Sequence, residues 1–444
     1  MELQDFILIP LSFLLFTVIG IVYLEVFCRD KSYRKFFLPA LWLKLLASLA
    51  YGLVYKFYYQ GGDTSNYFKD GTYISNKLLT DWNTGWEMLM APANTYSLNT
   101  LEPFQQILYD GSETAFVVVK MVAILSIFTF NSFFATSLLF SAVSFTGLWA
   151  MYTVFVDLYP RLKTQFAIAV FLIPSVTFWG SGIMKDTVTI GCIGWFFYGF
   201  YHLLIKKDQL FFPAAVLLIS AYLILQTKLY IIAAFVPAMF VWFYLHHYKK
   251  ITEWPARAFL NFSLLIIVPF LSWYFLDNIQ NIGNRLLKAF ISEALGFHNW
   301  HTFLDQKFGG SGYNLGTIEF TPIGILKKVP ASINVALFRP YIFEVKNVVM
   351  LFSSFESTLV LLFSLFVWLR VGIFKSIKYI FTNPLLTSLL VFILLFAFVV
   401  GFTSYNFGAL VRYKIPCMPF FIAMLFILLE ERRLAAFDRT HYIN

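Results

Sequence analysis

The sequence predicts an all-α, polytopic integral membrane protein with about eleven transmembrane helices and two long outer-side segments. Three observations carry this expectation. Hydrophobic residues fill 59% of the 444 positions and charged residues only 13%, roughly half the charged share of a soluble domain. The mean hydropathy is +0.72. The apolar residues come in runs of about 20, the length that spans a bilayer as a helix, and the basic residues collect in short connections between them. The net charge of +9 is therefore read as positive cytoplasmic loops and gives no reason to expect a nucleic-acid partner. The aromatic share of 20% suits lipid-facing and interfacial positions and by itself names no ligand.

Six basic stretches set the orientation: CRDKSYRK (28–35), PRLK (160–163), KK (206–207), HHYKK (246–250), FKSIK (374–378) and EERR (430–433). All are assigned to the cytoplasm as short loops. The first apolar run, 6–26, follows the acids Glu2 and Asp5. It lacks a basic leader and a small-residue cleavage site, so it reads as a retained span entering from outside. Span 36–57 returns outward, and the polar segment 59–113 stays there. Residues 114–157 must then cross an odd number of times. An interfacial or partly embedded helix at 114–130, carrying Lys120, a break at FNSFF and one span at 132–156 satisfy that parity.

Spans follow at 165–180, 187–205, 210–226, 229–245 and 257–276. The second outer segment, 277–346, contains NRLLKAFISEAL (284–295), with the pattern of an amphipathic surface helix, and FGGSGYNLGTIEFTP (308–322), an irregular loop. Spans at 347–370, 384–404 and 415–430 end the chain on the cytoplasmic side. The N-terminus is then outside. The cysteines Cys28, Cys192 and Cys417 lie far apart and offer no metal-binding spacing.

The polar chemistry gathers in the outer connections. In YYQGGDTSNYFKDG (59–72), two glycines allow a sharp turn before Asp63. Asp63 is either a helix N-cap or an exposed carboxylate, and Tyr67, four residues on, shares its face if a helix starts here. The alternating ligands of a calcium loop are missing. In PSVTFWGSGIMKDTVTI (174–190), Gly180, Ser181 and Gly182 break one helix, and Lys185 and Asp186 open the next. A helix start with a lysine suits an anion, although a snorkelling lysine and a capping aspartate are the plainer reading.

Lys228, Arg339, Arg412 and Lys414 place further cations in outer connections, each an ordinary interfacial anchor on its own. Converging, they would suit a phosphate. Lys44 and Glu356 interrupt apolar runs. Glu356 is a possible intramembrane functional residue; Lys44 sits close enough to the cytoplasmic end to snorkel. His298 and His301 read as a solvated or interfacial pair.

The layout resembles the polytopic GT-C glycosyltransferases. The resemblance rests on GGDTSNYF (61–68) after an apolar helix, an interfacial helix plus span, a proline-containing helix leading into the outer KD of 185–186, and RYKIPCMP (412–419) before the last span. It covers roughly 36–345 and the last two spans. It implies a GT-C-like core at 36–276, the second outer loop at 277–346 and C-terminal spans with a cytoplasmic tail at 347–444; the helix and loop at 1–35 are extra to the family's plan.

It implies sugar transfer from a polyprenyl-phosphate-linked donor to a saccharide, lipid or protein acceptor on the outer face of a bacterial-type inner membrane. By the resemblance, Asp63 and Asp186 are the catalytic carboxylates, Asp63 acting as base or positioning the acceptor and Asp186 matching the acid of the next outer loop. The lipid phosphate contacts map to Lys185, Lys228, Arg339, Arg412 or Lys414, and Tyr67, on the face of Asp63, is a further candidate substrate contact. The usual paired carboxylates of the first loop are Asp63-Thr64 here, which leaves a divalent metal without support and the cofactor unknown. Two alternatives remain open. A polysaccharide or O-antigen polymerase would lean on Arg339 and Arg412; a lipid-linked sugar flippase or secondary transporter would need charges along a midplane path.

Overall fold

A computed structural model describes residues 3–29, 31–248, 296, 311–316 and 322–441. Among them all regular structure is helical. Seven helices are long and apolar enough to cross a membrane, or eight if one bent pair counts as a span. The protein is an all-α integral membrane protein. The expected span 257–276 and most of the second outer segment, with NRLLKAFISEAL, His298 and His301, fall outside the described residues.

The chain divides into two units, Met1–Ala233 with Met418–Phe426, and Ala234–Cys417 with Ile427–Asn444. The first unit begins with α1 (Asp5–Phe27) and α2 (Phe37–Leu53), the latter continued by a π-helical turn to Tyr58. The polar segment then folds into α3 (Asp63–Thr80), α4 (Trp82–Met90) and the short α5 (Leu101–Phe104). Helices α6 (Glu113–Phe128) and α7 (Phe133–Leu158) follow. The break between them falls at FNSFF, where Phe130 and Asn131 both have positive φ and Ser132 caps α7 through the Ala135 N–H (3.2 Å). Helix α6 packs along α3.

The stretch expected as a span at 165–180 is broken into α8 (Lys163–Phe171) and α9 (Pro174–Trp179). Pro174 has no N–H to give and drives Ile173 out of helical conformation, so the helix stops and restarts. Helix α10 (Lys185–Phe200) runs on as a π-helical turn to Lys206. It is followed by α11 (Phe211–Thr227), too short to count among the seven, and by α12 (Leu229–Tyr248), which belongs to the second unit from Ala234 on.

Helices α7 and α10 touch backbone to backbone. A Cβ on Gly147 would lie 1.9 Å from the Gly191 carbonyl oxygen, and one on Gly194 would lie 2.0 Å from that of Gly147. Close approach through small residues is how helices gain dispersion contacts where lipid removes the hydrophobic drive.

Three basic connections lie at one end of this unit. The Tyr33 and Tyr152 rings meet edge to face at 6.0 Å, joining 28–35 to the end of α7. Lys206 pairs with Asp157 at 2.7 Å, joining the end of α10 to the same place. The start of α1 lies at the opposite, far end, where Ser132 Oγ donates to Asp5 Oδ1 (2.7 Å).

The second unit contains α13 (Pro322–Phe338), α14 (Val348–Val371), α15 (Ile373–Thr382), α16 (Pro384–Thr403), α17 (Phe407–Tyr413) and most of α18 (Met418–His441). FKSIK and EERR, expected as loops, lie inside α15 and α18. A helix satisfies its own backbone, and at a membrane surface charges can point to water without breaking it. The connection expected around VRYKIP is largely the helix α17, bent by 65° from α18. Residues 311–316 run extended beside 404–407: Phe407 N–H donates to Ser311 O (2.9 Å) and Tyr313 N–H to Tyr405 O (3.1 Å). Gly401 lets α16 approach α13, since a Cβ there would lie 2.0 Å from the Ser332 carbonyl oxygen.

Candidate functional site

Asp63 opens α3 as its first helical residue. The capping position is taken by Gly62, whose φ of 105° only glycine adopts without strain. The N-cap reading is thereby corrected: Gly62 and not Asp63 holds the cap position, and Asp63 Oδ1 accepts a hydrogen bond from Tyr109 Oη (2.9 Å). Tyr67, one turn on, is buried and packs its ring 4.7 Å from that of Tyr109. Burial and the Asp63 charge push the Tyr109 hydroxyl up to about 12, so it remains a proton donor at neutral pH.

Tyr109 is itself held by an acid that sequence reading passed over. Asp70 lies two turns along α3 from Asp63, is 2% exposed, and accepts the backbone N–H groups of Leu108 and Tyr109, both at 3.0 Å. Burial raises its carboxyl above the usual range even though those two bonds oppose the shift.

The 180–186 turn meets this group. Lys185, the first residue of α10, donates to Thr114 Oγ1 near the start of α6 (2.8 Å). It is close enough to Lys228, Asp63 and Asp186 to feel all three charges. Four of the predicted residues thus converge, from the starts of α3 and α10 and the end of α11. Their exposure differs. Asp63 and Lys185 are partly open, whereas Asp186 and Lys228 are buried and form an ion pair with each other. A buried pair of this kind holds its elements in register, because breaking it leaves a charge unsatisfied.

Behind the charges stands an aromatic wall. Tyr51 and Tyr55 stack at 4.5 Å, and Trp179 meets the edge of each. A Cβ on Gly182 would fall 2.0 Å from the Tyr51 ring, which explains the glycine there. Lys44 does not snorkel as expected. It is 3% exposed and donates to the Gly180 carbonyl oxygen, tying the turn to the interior of α2. A carbonyl left free where α9 ends accepts that ammonium at lower cost than an apolar span would.

The other predicted residues belong to the second unit. Arg339 is bound by Glu344, with Nε 3.0 Å from both carboxylate oxygens, and its guanidinium lies 5.3 Å from the Phe407 ring centre. Burial alone would raise the Glu344 carboxyl, but the Arg339 guanidinium holds it below the usual range. Glu356 and Lys414 are buried 3.9 Å apart, and Lys414 also donates to Ser357 Oγ (3.0 Å). Arg412 is half-buried in the last turn of α17. Among the described residues no group of three metal-ligating side chains occurs.

No family model, curated protein or solved structure matches this chain. Tyr109, Asp70 and Thr114 are the site residues that sequence reading missed. Asp70 carried a signal, since seven residues on a helix return to the same face as Asp63. Tyr109 and Thr114 carried none.

Proposed function

We propose that the protein is a GT-C-like membrane glycosyltransferase, moving a sugar from a polyprenyl-phosphate-linked donor to an acceptor at the far end of the first unit. That end is the outer face if the basic loops are cytoplasmic. The observation supporting this reading is the arrangement of Asp63 and Lys185, two partly open opposite charges backed by a buried ion pair and bordered by aromatic rings. An eleven-span topology completes the reading, with 163–179 as a broken span.

Asp63 takes the proton of the acceptor hydroxyl. The acceptor oxygen attacks the anomeric carbon as the bond to the phosphate oxygen breaks. The electron pair leaves on the polyprenyl phosphate, whose growing charge Lys185 stabilises. Asp186 is engaged with Lys228 and serves to position the 180–186 turn, so the roles of the two acids differ.

The test is reconstitution in proteoliposomes with a radiolabelled polyprenyl-phosphate sugar and an acceptor extract. Transfer gives label covalently joined to acceptor in single additions. Lengthening ladders of repeats point to a polymerase. Label that crosses the bilayer without covalent change points to a flippase or transporter and contradicts the reading.

A further inference from the structure

Helix α4 and the loop after it form a groove of about 520 Å³, within the range of small-molecule sites. Asn83, Trp86, Glu87 and Met90 line one side, and Thr95 and Tyr96 line the other. The four residues from α4 recur at the i, i+3, i+4, i+7 spacing of a single helix face. The helix buries Gly85, Met88 and Leu89 instead, so the groove-lining face is left open.

Trp86 is 45% exposed and stacks on Trp82 at 5.4 Å, nearly parallel. The indole is thus a braced apolar platform beside a carboxylate, an amide and hydroxyls. A pyranose ring has this same mixture, with C–H faces that stack on aromatics and hydroxyls around its rim. The groove is lined by one acid and no lysine or arginine, which disfavours phosphorylated or uronic sugars. A bilayer surface fits it less well, since interfacial helices favour basic residues at their polar edge.

The loop forming the far wall also leads to Asp63. Tyr96 Oη donates to Asp110 Oδ2 (2.7 Å), and Asn94 N–H donates to the Asp110 carbonyl oxygen (3.1 Å). The neighbouring residue, Tyr109, donates to Asp63.

We propose that this groove binds an uncharged saccharide built of hexose or N-acetylhexosamine units. Resting on the transferase reading, that saccharide is the acceptor chain, held outside the membrane while its end reaches Asp63.

The experiment is saturation-transfer NMR on the full-length protein in lipid nanodiscs, with a neutral N-acetylglucosamine hexamer, a glucan hexamer and a uronic-acid hexamer as probes. A neutral hexamer is expected to bind. Trp86→Ala is expected to weaken that binding about tenfold, the worth of one aromatic contact, and Glu87→Ala about fivefold. The uronic hexamer is expected to bind more weakly than the neutral ones.

The proposal is overturned if neither neutral hexamer binds, if neither substitution changes the affinity, or if the uronic hexamer binds best. It is also overturned if brominated phosphatidylcholine quenches the part of the tryptophan fluorescence that Trp86→Phe removes, because the platform then faces lipid. Should Trp86→Ala fail to fold, Glu87→Ala decides. Saccharide binding without turnover on any lipid-linked donor removes the transferase reading and keeps the groove; turnover without groove binding does the reverse.

Discussion

At the scale of single residues, the site depends on a short relay: Asp70 fixes the 108–109 backbone, Tyr109 reaches Asp63, and Tyr67 packs on Tyr109. Tyr109→Phe removes one hydrogen bond to a charged group and little volume. It should lower kcat about tenfold or more with KM for the donor nearly unchanged; an equal loss in both would assign Tyr109 to substrate binding instead.

Asp70 makes a pH prediction. Its folded-state carboxyl is raised by burial, so the folded protein holds that proton more tightly than the unfolded chain. Its contribution to stability is fully present below the ordinary carboxylate value and is lost as pH rises through the raised value. The melting temperature of the wild type relative to Asp70→Asn should therefore fall across that window. A difference that rises with pH would contradict the assignment. The sequence alone showed Asp63 as an acid after two glycines, but not that Gly62 would take the cap position and that Tyr109 would bond the Asp63 carboxylate. That outcome depends on a backbone φ and on Tyr109, 46 positions away along the chain.

At the scale of elements, hydropathy located most apolar helices because length and composition alone determine which segments suit a bilayer. It missed the break at 172–173. Pro174 was visible there, but proline at the start of a helix and proline breaking one look alike without neighbours. The helix at α6 was legible through Lys120 and the FNSFF break, while its packing along α3 was not. Glycine spacing also carried information left unread: Gly147, Gly191 and Gly194 allow α7 and α10 to meet backbone to backbone. Gly147→Val forces those helices apart and should cost about 3 kcal/mol or more. Thermal unfolding of the purified protein checks this, and an unchanged melting temperature would exclude the close contact. Since α10 carries Lys185 and Asp186 at its first turn, the same substitution should also lower activity.

At the scale of the whole molecule, positive charge at one end and paired or partly open charges at the other give the first unit its polarity. The basic connections 28–35, 160–163 and 206–207 share one end. Asp63, Lys185, Asp186 and Lys228 gather with Thr114 at the other. The spread of cations over several connections was readable from sequence. Which of them converge was not, because convergence depends on contacts between residues far apart in the chain. Lys185 remains without an ion pair among the described residues, whereas Lys228 is bound by Asp186, Arg339 by Glu344, and Lys414 lies beside Glu356. In the proposed transferase these contacts favour Asp63 as the base and Lys185 as the phosphate contact, with Asp186 positioning the turn.

The most direct measurement is turnover of a polyprenyl-phosphate-linked sugar by purified Asp63→Asn, whose fold and expression match the wild type. The account predicts a fall in kcat of about two to four decades with donor affinity retained. Wild-type turnover by this variant would contradict it.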